Sequence, residues 1–135
     1  MTTIDKVALM EQAKEVLKNA YCPYSKFPVG AAVLYKDGRV ITGANIENVS
    51  FGVTNCAERS SIFYGASQGY RTGDILAIAV AGETEGFLQP CNICRQVMVE
   101  FCGPDTPVFL LNGKGEILEL RLEELVPYSF VSLEM

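Results

Sequence analysis

The sequence predicts a three-layer α/β (α-β-α) fold, with one mixed sheet of about five strands and helices on both faces. Three observations predict it. The elements alternate along the chain as α, β-β, α, β, α, β-β, α. The run Ile75-Leu76-Ala77-Ile78-Ala79-Val80 is apolar throughout, which suits a central strand covered on both faces. Two turn signals, Asp37-Gly38 and Asn112-Gly113, each lie between apolar runs and read as hairpins. No repeat, low-complexity tract or Pro/Gly/Ser linker divides the chain, so a single domain over residues 1–135 is expected.

Residues 3–20 read as an amphipathic helix. Ile4, Val7, Met10, Ala13, Val16, Leu17 and Ala20 recur at three- and four-residue steps, with Lys6, Glu11, Lys14, Glu15 and Lys18 elsewhere. Pro23 disfavours helical geometry at Cys22 and ends the segment. Strands are predicted at Val29–Tyr35 and Arg39–Thr42, followed by a polar loop over Gly43–Asn55. Ala57–Ala66 reads as a second helix closed by Gly69. After the central strand and a loop at Gly82–Gln89, Asn92–Phe101 reads as a third helix, with Cys94, Val97, Met98 and Phe101 on one side. Pro107–Leu111 and Ile117–Leu120 form the second hairpin, and Leu122–Val126 a short last helix stopped by Pro127.

Composition narrows the function. Apolar residues make up 49% and charged residues 20%, the balance of a globular chain. No run of about 18 apolar residues suggests a membrane span, and no secretory signal is visible. The net charge of −5 and pI near 4.7 argue against affinity built on neutralising phosphates, so no nucleic-acid partner is expected. A mean hydropathy of +0.19 is high for so small a domain and points to a surface shared between subunits. There is no histidine, so no imidazole can act as base or metal ligand. There are five cysteines: Cys22, Cys56, Cys91, Cys94 and Cys102. The odd count speaks against a disulfide framework and for a reducing, cytoplasmic setting.

Cys91-Asn92-Ile93-Cys94 alone is ambiguous between a redox pair, half a metal site and two thiols at a helix start. Asn55-Cys56-Ala57-Glu58-Arg59 adds a thiolate and a carboxylate at the opening of another helix. Two helix starts from adjacent crossovers point to one edge of a sheet, where they could bring three thiolates to one metal. Three protein ligands and an open position distinguish catalytic zinc from closed structural zinc. Cys22 and Cys102 have no spacing partner and read as small buried side chains, although either could close the site as a fourth ligand. Zn²⁺ with three thiolates carries net charge −1, and a bound hydroxide makes it −2, which weakens the Lewis acid. Arg59 and Arg95 are placed to offset that charge by facing the sulfurs. The bland alternative for each is a solvated surface side chain.

Cys56-Ala57-Glu58 with Pro90-Cys91-x-x-Cys94 resembles the zinc-deaminase signature in its all-cysteine form. The stretch Tyr21–Ala32 is similar to the opening of cytidine deaminases, as are Asn45-Ile46-Glu47-Asn48, Thr54–Arg59, Pro90–Gln96 and Leu125-Val126-Pro127. The resemblance spans nearly the whole chain and is to the short, homotetrameric type. It implies a cytidine-deaminase-like fold and one Zn²⁺ per subunit, held by Cys56, Cys91 and Cys94. It implies Glu58 as proton shuttle, Asn45 and Glu47 on the ribose hydroxyls, Phe27 against the pyrimidine ring and Ala57 in the substrate site. Arg59 would temper the thiolate charge, and Phe130 would close a neighbouring subunit's site. The expected reaction is hydrolytic deamination of cytidine and 2′-deoxycytidine in pyrimidine salvage, with zinc-bound hydroxide attacking C4. Ile93 is bulkier than the small residue expected between the ligands, with no reason to disturb them.

The residues of this pattern also stand on their own. Asn45 and Glu47, two apart in an extended segment, point the same way, and a carboxylate facing a sugar would repel a phosphate. That favours a nucleoside over a nucleotide. Three other readings predict different features. A deaminase of single-stranded nucleic acid needs a basic groove with stacking aromatics. A deaminase of an aminonucleoside antibiotic would lack the Asn45/Glu47 pair. A non-enzymatic zinc module needs four protein ligands and no Glu58.

Overall fold

The computed structural model describes residues 4–133. Asp5 caps the first helix, α1 (Lys6–Leu17), its side chain accepting from the Ala8 N–H at 3.0 Å. The predicted start at residue 3 lies outside the described residues, and the helix ends three residues before Ala20. Its buried residues are Leu9, Met10 and Ala13; Met10 and Ala13 belong to the expected face, and Leu9 does not. Val7 is 58% exposed and Leu9 takes its place, because the sheet covers α1 from one side only.

Five strands follow: β1 (Val29–Tyr35), β2 (Val40–Ala44), β3 (Ile75–Gly82), β4 (Pro107–Leu111) and β5 (Ile117–Arg121). Their order is β2-β1-β3-β4-β5. Only β3 and β4 pair in parallel; the other neighbours are antiparallel, as two hairpins and one return strand require. The helices α2 (Ala57–Ser67), α3 (Asn92–Phe101) and α4 (Leu122–Leu125) complete the order expected from the sequence. The structure thus has the mixed sheet with helices on both faces.

Strand alternation splits the core into two layers of different grain. On the α2/α3 face, Val33, Tyr35, Ile78, Val80, Val108 and Leu110 pack with Ile62 and Met98. On the α1 face, Ala32, Ala77, Ala79 and Ala81 meet Leu9, Met10 and Ala13. The alanine face lets α1 lie close to the sheet. At Gly30 the fit is closest, since a Cβ there would stand 2.1 Å from the Ala13 carbonyl oxygen. The bulky face supports α2 and α3, and burying each Val, Ile or Leu contributes about 1.5–3 kcal/mol. Those two helices carry the cysteines, so this layer holds the site rigidly.

Candidate active site

The two helix tips meet as their sequences imply. Cys56 is the N-cap of α2 and Cys91 the N-cap of α3, both in extended conformation, and Cys94 lies one turn into α3. The Cys91 and Cys94 sulfurs are 3.5 Å apart, and those of Cys56 and Cys91 3.8 Å. All three sulfurs lie within 4.8 Å of one another. Tetrahedral zinc with Zn–S bonds of about 2.3 Å needs sulfurs about 3.8 Å apart, so the donor set fits such an ion. Among the described residues no fourth His, Cys, Asp or Glu joins the three.

Arg59, one turn along α2 from Cys56, donates from Nη2 to the Cys56 sulfur at 3.1 Å. Hydrogen bonding to Cys94, and then to Arg59, pulls the Cys56 thiol down to about 5. Cys94, on the other side of that shared proton and fully buried, is pushed up. Glu58 follows Cys56 by two residues and is 4% exposed. Burial pushes its carboxyl up to about 7, and the negative Cys56 adds to the rise. A cation on the sulfurs would oppose that rise.

A cavity of about 310 Å³ opens above these groups. Cys56, Ala57, Glu58 and Cys91 form one end, and Ser25, Phe27, Asn45 and Glu47 the other. Backbone pairing brings the ends together. Ile46 bridges Tyr21 on one side and Asn55 on the other, so the segment before Cys56 runs beside Asn45 and Glu47. Ile46 points outward, 47% exposed, and its two neighbours therefore point in, at 9% and 7%.

Asn45 accepts from the Val29 N–H at 2.8 Å through Oδ1 and donates from Nδ2 to the Phe27 carbonyl at 2.8 Å. Glu47 Oε1 accepts from the N–H groups of Tyr24 at 3.0 Å and Ser25 at 3.1 Å, and Oε2 from the Ser25 hydroxyl. These donors, the Ser25 hydroxyl first, hold the Glu47 carboxyl below the usual carboxylate range. No lysine or arginine lines the cavity.

Residues 3–110 match the family described as the cytidine and deoxycytidylate deaminase zinc-binding region. The chain belongs to this family. It is 49% identical to a cytidine deaminase of Halalkalibacterium halodurans over 98% of each chain. It is 46% identical to one from Sporosarcina psychrophila, covering 94% of this chain and 92% of that one. The crystal structure of cytidine deaminase from Burkholderia pseudomallei superposes with a TM-score of 0.91 at 46% identity, over 94% of this chain and 100% of that one. The deaminase family is a zinc-binding one, and Cys56, Cys91 and Cys94 are the cluster here that could hold one ion.

Other residues of this deaminase fall less simply into place. Arg95 was expected at a sulfur, but its guanidinium donates to the backbone carbonyls of Pro90 and Leu125, each at 2.8 Å. Lying one turn past Cys91, it reaches back over the loop rather than toward the metal corner. Phe27 lines the cavity and is 44% exposed. Phe130 is not among the lining residues; its side chain is 63% exposed and its carbonyl accepts from Gln96 at 2.9 Å. Cys102 is buried as expected of a small core residue, whereas Cys22 is only half-buried. Ile93 is 62% exposed and leaves the sulfurs undisturbed. Ser25 also lines the cavity, and nothing in the sequence beyond its place in the Tyr21–Ala32 stretch points to it.

Proposed function

We propose that the protein deaminates cytidine and 2′-deoxycytidine to uridine and 2′-deoxyuridine, releasing ammonia. The observation that carries this reading is one buried carboxylate, Glu58, beside a three-sulfur cluster at the end of a cavity of nucleoside size. Zinc bound to Cys56, Cys91 and Cys94 would supply a Lewis acid that makes water nucleophilic near neutral pH. Glu58 accepts the water proton, hands it to N3 of the cytosine, and then relays a proton to the departing amine. One water enters, the C4–N bond breaks, a C4 carbonyl forms and ammonia leaves. Arg59 draws charge from the Cys56 sulfur and so keeps the electrophile strong. Phe27 offers a face to the pyrimidine ring, and Ala57 leaves room for it against the helix tip.

At the far end, Asn45 retains one N–H and one lone pair after its two backbone bonds. Those suit sugar hydroxyls. An ionised Glu47, with no cation among the lining residues, repels a 5′-phosphate, so the nucleoside is favoured over the nucleotide. The intact Asn45/Glu47 pair speaks against an antibiotic deaminase, and the three-ligand cluster against a structural zinc module. The reading extends to pyrimidine salvage in the cytoplasm, where five free thiols are stable. It also extends to a homotetramer whose Phe130 reaches a neighbouring cavity, supported by exposed Phe51, Val53, Phe63 and Ile93. Among the described residues, no helix is long and apolar enough to cross a membrane.

The test follows the absorbance of cytidine and of its 5′-monophosphate with purified protein, with and without a zinc chelator. Cytidine should be consumed at least about a hundredfold more efficiently than the monophosphate, a gap of about 2.7 kcal/mol, and chelation should stop the reaction. Turnover that survives full metal removal, or none on cytidine, overturns the reading.

A further inference from the structure

We propose that Ser25 is a positioning residue for sugar recognition: its hydroxyl fixes the Glu47 carboxylate so that one oxygen lone pair is left for a substrate hydroxyl. The inference rests on the function proposed above and assigns a residue that neither spacing nor the family signature singles out. Its basis is a count of donors. A carboxylate offers about four lone-pair sites. The N–H groups of Tyr24 and Ser25 both go to Oε1, which is then full, and the Ser25 hydroxyl takes one site on Oε2. What remains is a single acceptor on Oε2, in a residue 7% exposed at the cavity wall.

The hydroxyl has one proton, and the carboxylate can only accept, so the direction of this bond is fixed. The Ser25 oxygen in turn accepts from the Phe27 N–H at 3.1 Å. Between them Lys26 sits at φ 59°, a left-handed conformation that costs a non-glycine residue about 1–2 kcal/mol. A strained turn must be held by its surroundings, and here the holding atoms are the Cys22 carbonyl, which accepts from the Lys26 N–H at 3.0 Å, and the Ser25 hydroxyl. The backbone bond to the Cys22 carbonyl holds the turn independently of the Ser25 side chain, so the bond that bears on substrate is the one to the Glu47 carboxylate.

The experiment compares cytidine with 2′,3′-dideoxycytidine, which keeps the base and lacks the secondary sugar hydroxyls. KM and kcat are measured for the wild type, Ser25→Ala, Ser25→Cys and Ser25→Thr, with zinc content and Tm alongside. Loss of the Phe27 anchor falls on both substrates; loss of carboxylate positioning falls on cytidine alone. Ser25→Ala should raise KM for cytidine about tenfold, the worth of one well-placed hydrogen bond. KM for the dideoxynucleoside should rise no more than about twofold, with kcat and zinc content unchanged. Ser25→Thr keeps the hydroxyl and should restore cytidine binding. Ser25→Cys is nearly isosteric with a weak donor; it should behave as Ser25→Ala and serves if the alanine variant misfolds. Equal losses on the two substrates, or none on cytidine, overturn the inference while leaving the deaminase reading intact. A wild type inactive on cytidine overturns both.

Discussion

Glu58 and Glu47 are the same residue type, face the same cavity, and are 4% and 7% exposed. Their proton affinities nevertheless move apart. Glu58 lies at a helix tip next to thiols, and burial raises its carboxyl to about 7. Glu47 is ringed by three donors that favour its charged form, and its carboxyl falls. Low exposure alone therefore does not fix the charge: burial wins at Glu58, and the three donors outweigh it at Glu47. The contrast supports the roles proposed for them. A carboxyl that titrates near neutrality can move protons, and one locked as an anion can only accept hydrogen bonds.

The largest effects should separate Glu58 from its cysteine neighbours. Glu58→Gln keeps the shape and removes the group proposed to move protons, so kcat on cytidine should fall about ten-thousandfold, the upper range for general acid–base catalysis. Zinc should stay at one per chain by atomic absorption. Cys56→Ala should instead lose both turnover and stoichiometric zinc, because two thiols cannot replace three. If Glu58→Gln deaminates normally, the shuttle lies elsewhere. If Cys56→Ala keeps its zinc, the ligand set is wrong.

That contrast also explains what the sequence could show. The cysteine corner is encoded locally: Cys56 opens one helix, Cys91 and Cys94 open another, and crossover topology brings helix starts to one sheet edge. The strands and helices follow from periodicity and turn chemistry, with boundary shifts where α1 rotates to cover the alanine face. The Glu47 end is encoded across distance. Its character depends on N–H groups 22 and 23 residues away, and no pattern in Asn45-Ile46-Glu47 reveals them. Arg95 fails for a related reason: four-residue spacing places it near Cys91, but the backbone carbonyls of Pro90 and Leu125 compete for its guanidinium.

A smaller effect tests the Glu47 end. Asn45→Ala leaves the Val29 N–H and the Phe27 carbonyl without their side-chain partner. Stability should fall by about 1–3 kcal/mol, the cost of leaving such groups unpaired. KM for cytidine should rise while zinc content holds. A variant that loses zinc but keeps KM would show that the two ends are not separable.

The smallest effect carries the comparison into the sealed core. If burial is what raises Glu58, the same should hold for buried groups of other chemistry. Tyr35 and Cys102, in the layer of bulky side chains, are both pushed up to about 12, chiefly by burial. Among the described residues the Tyr35 hydroxyl has no hydrogen-bond partner, while its ring stacks on Tyr70 at 3.8 Å. Each folded-state pKa lies above the unfolded one, so the folded chain keeps protons that the unfolded chain releases. Stability is then full below about pH 8.5 and falls as pH rises toward 12, first through the thiol and then through the phenol. Tyr35→Phe removes one titrating group and an unpaired hydroxyl. Urea unfolding from pH 8 to 11 should show a shallower loss above pH 10 for that variant than for the wild type, by up to about 1.4 kcal/mol per pH unit. Parallel curves would mean that Tyr35 reaches water or a donor in solution, and that burial is not the cause.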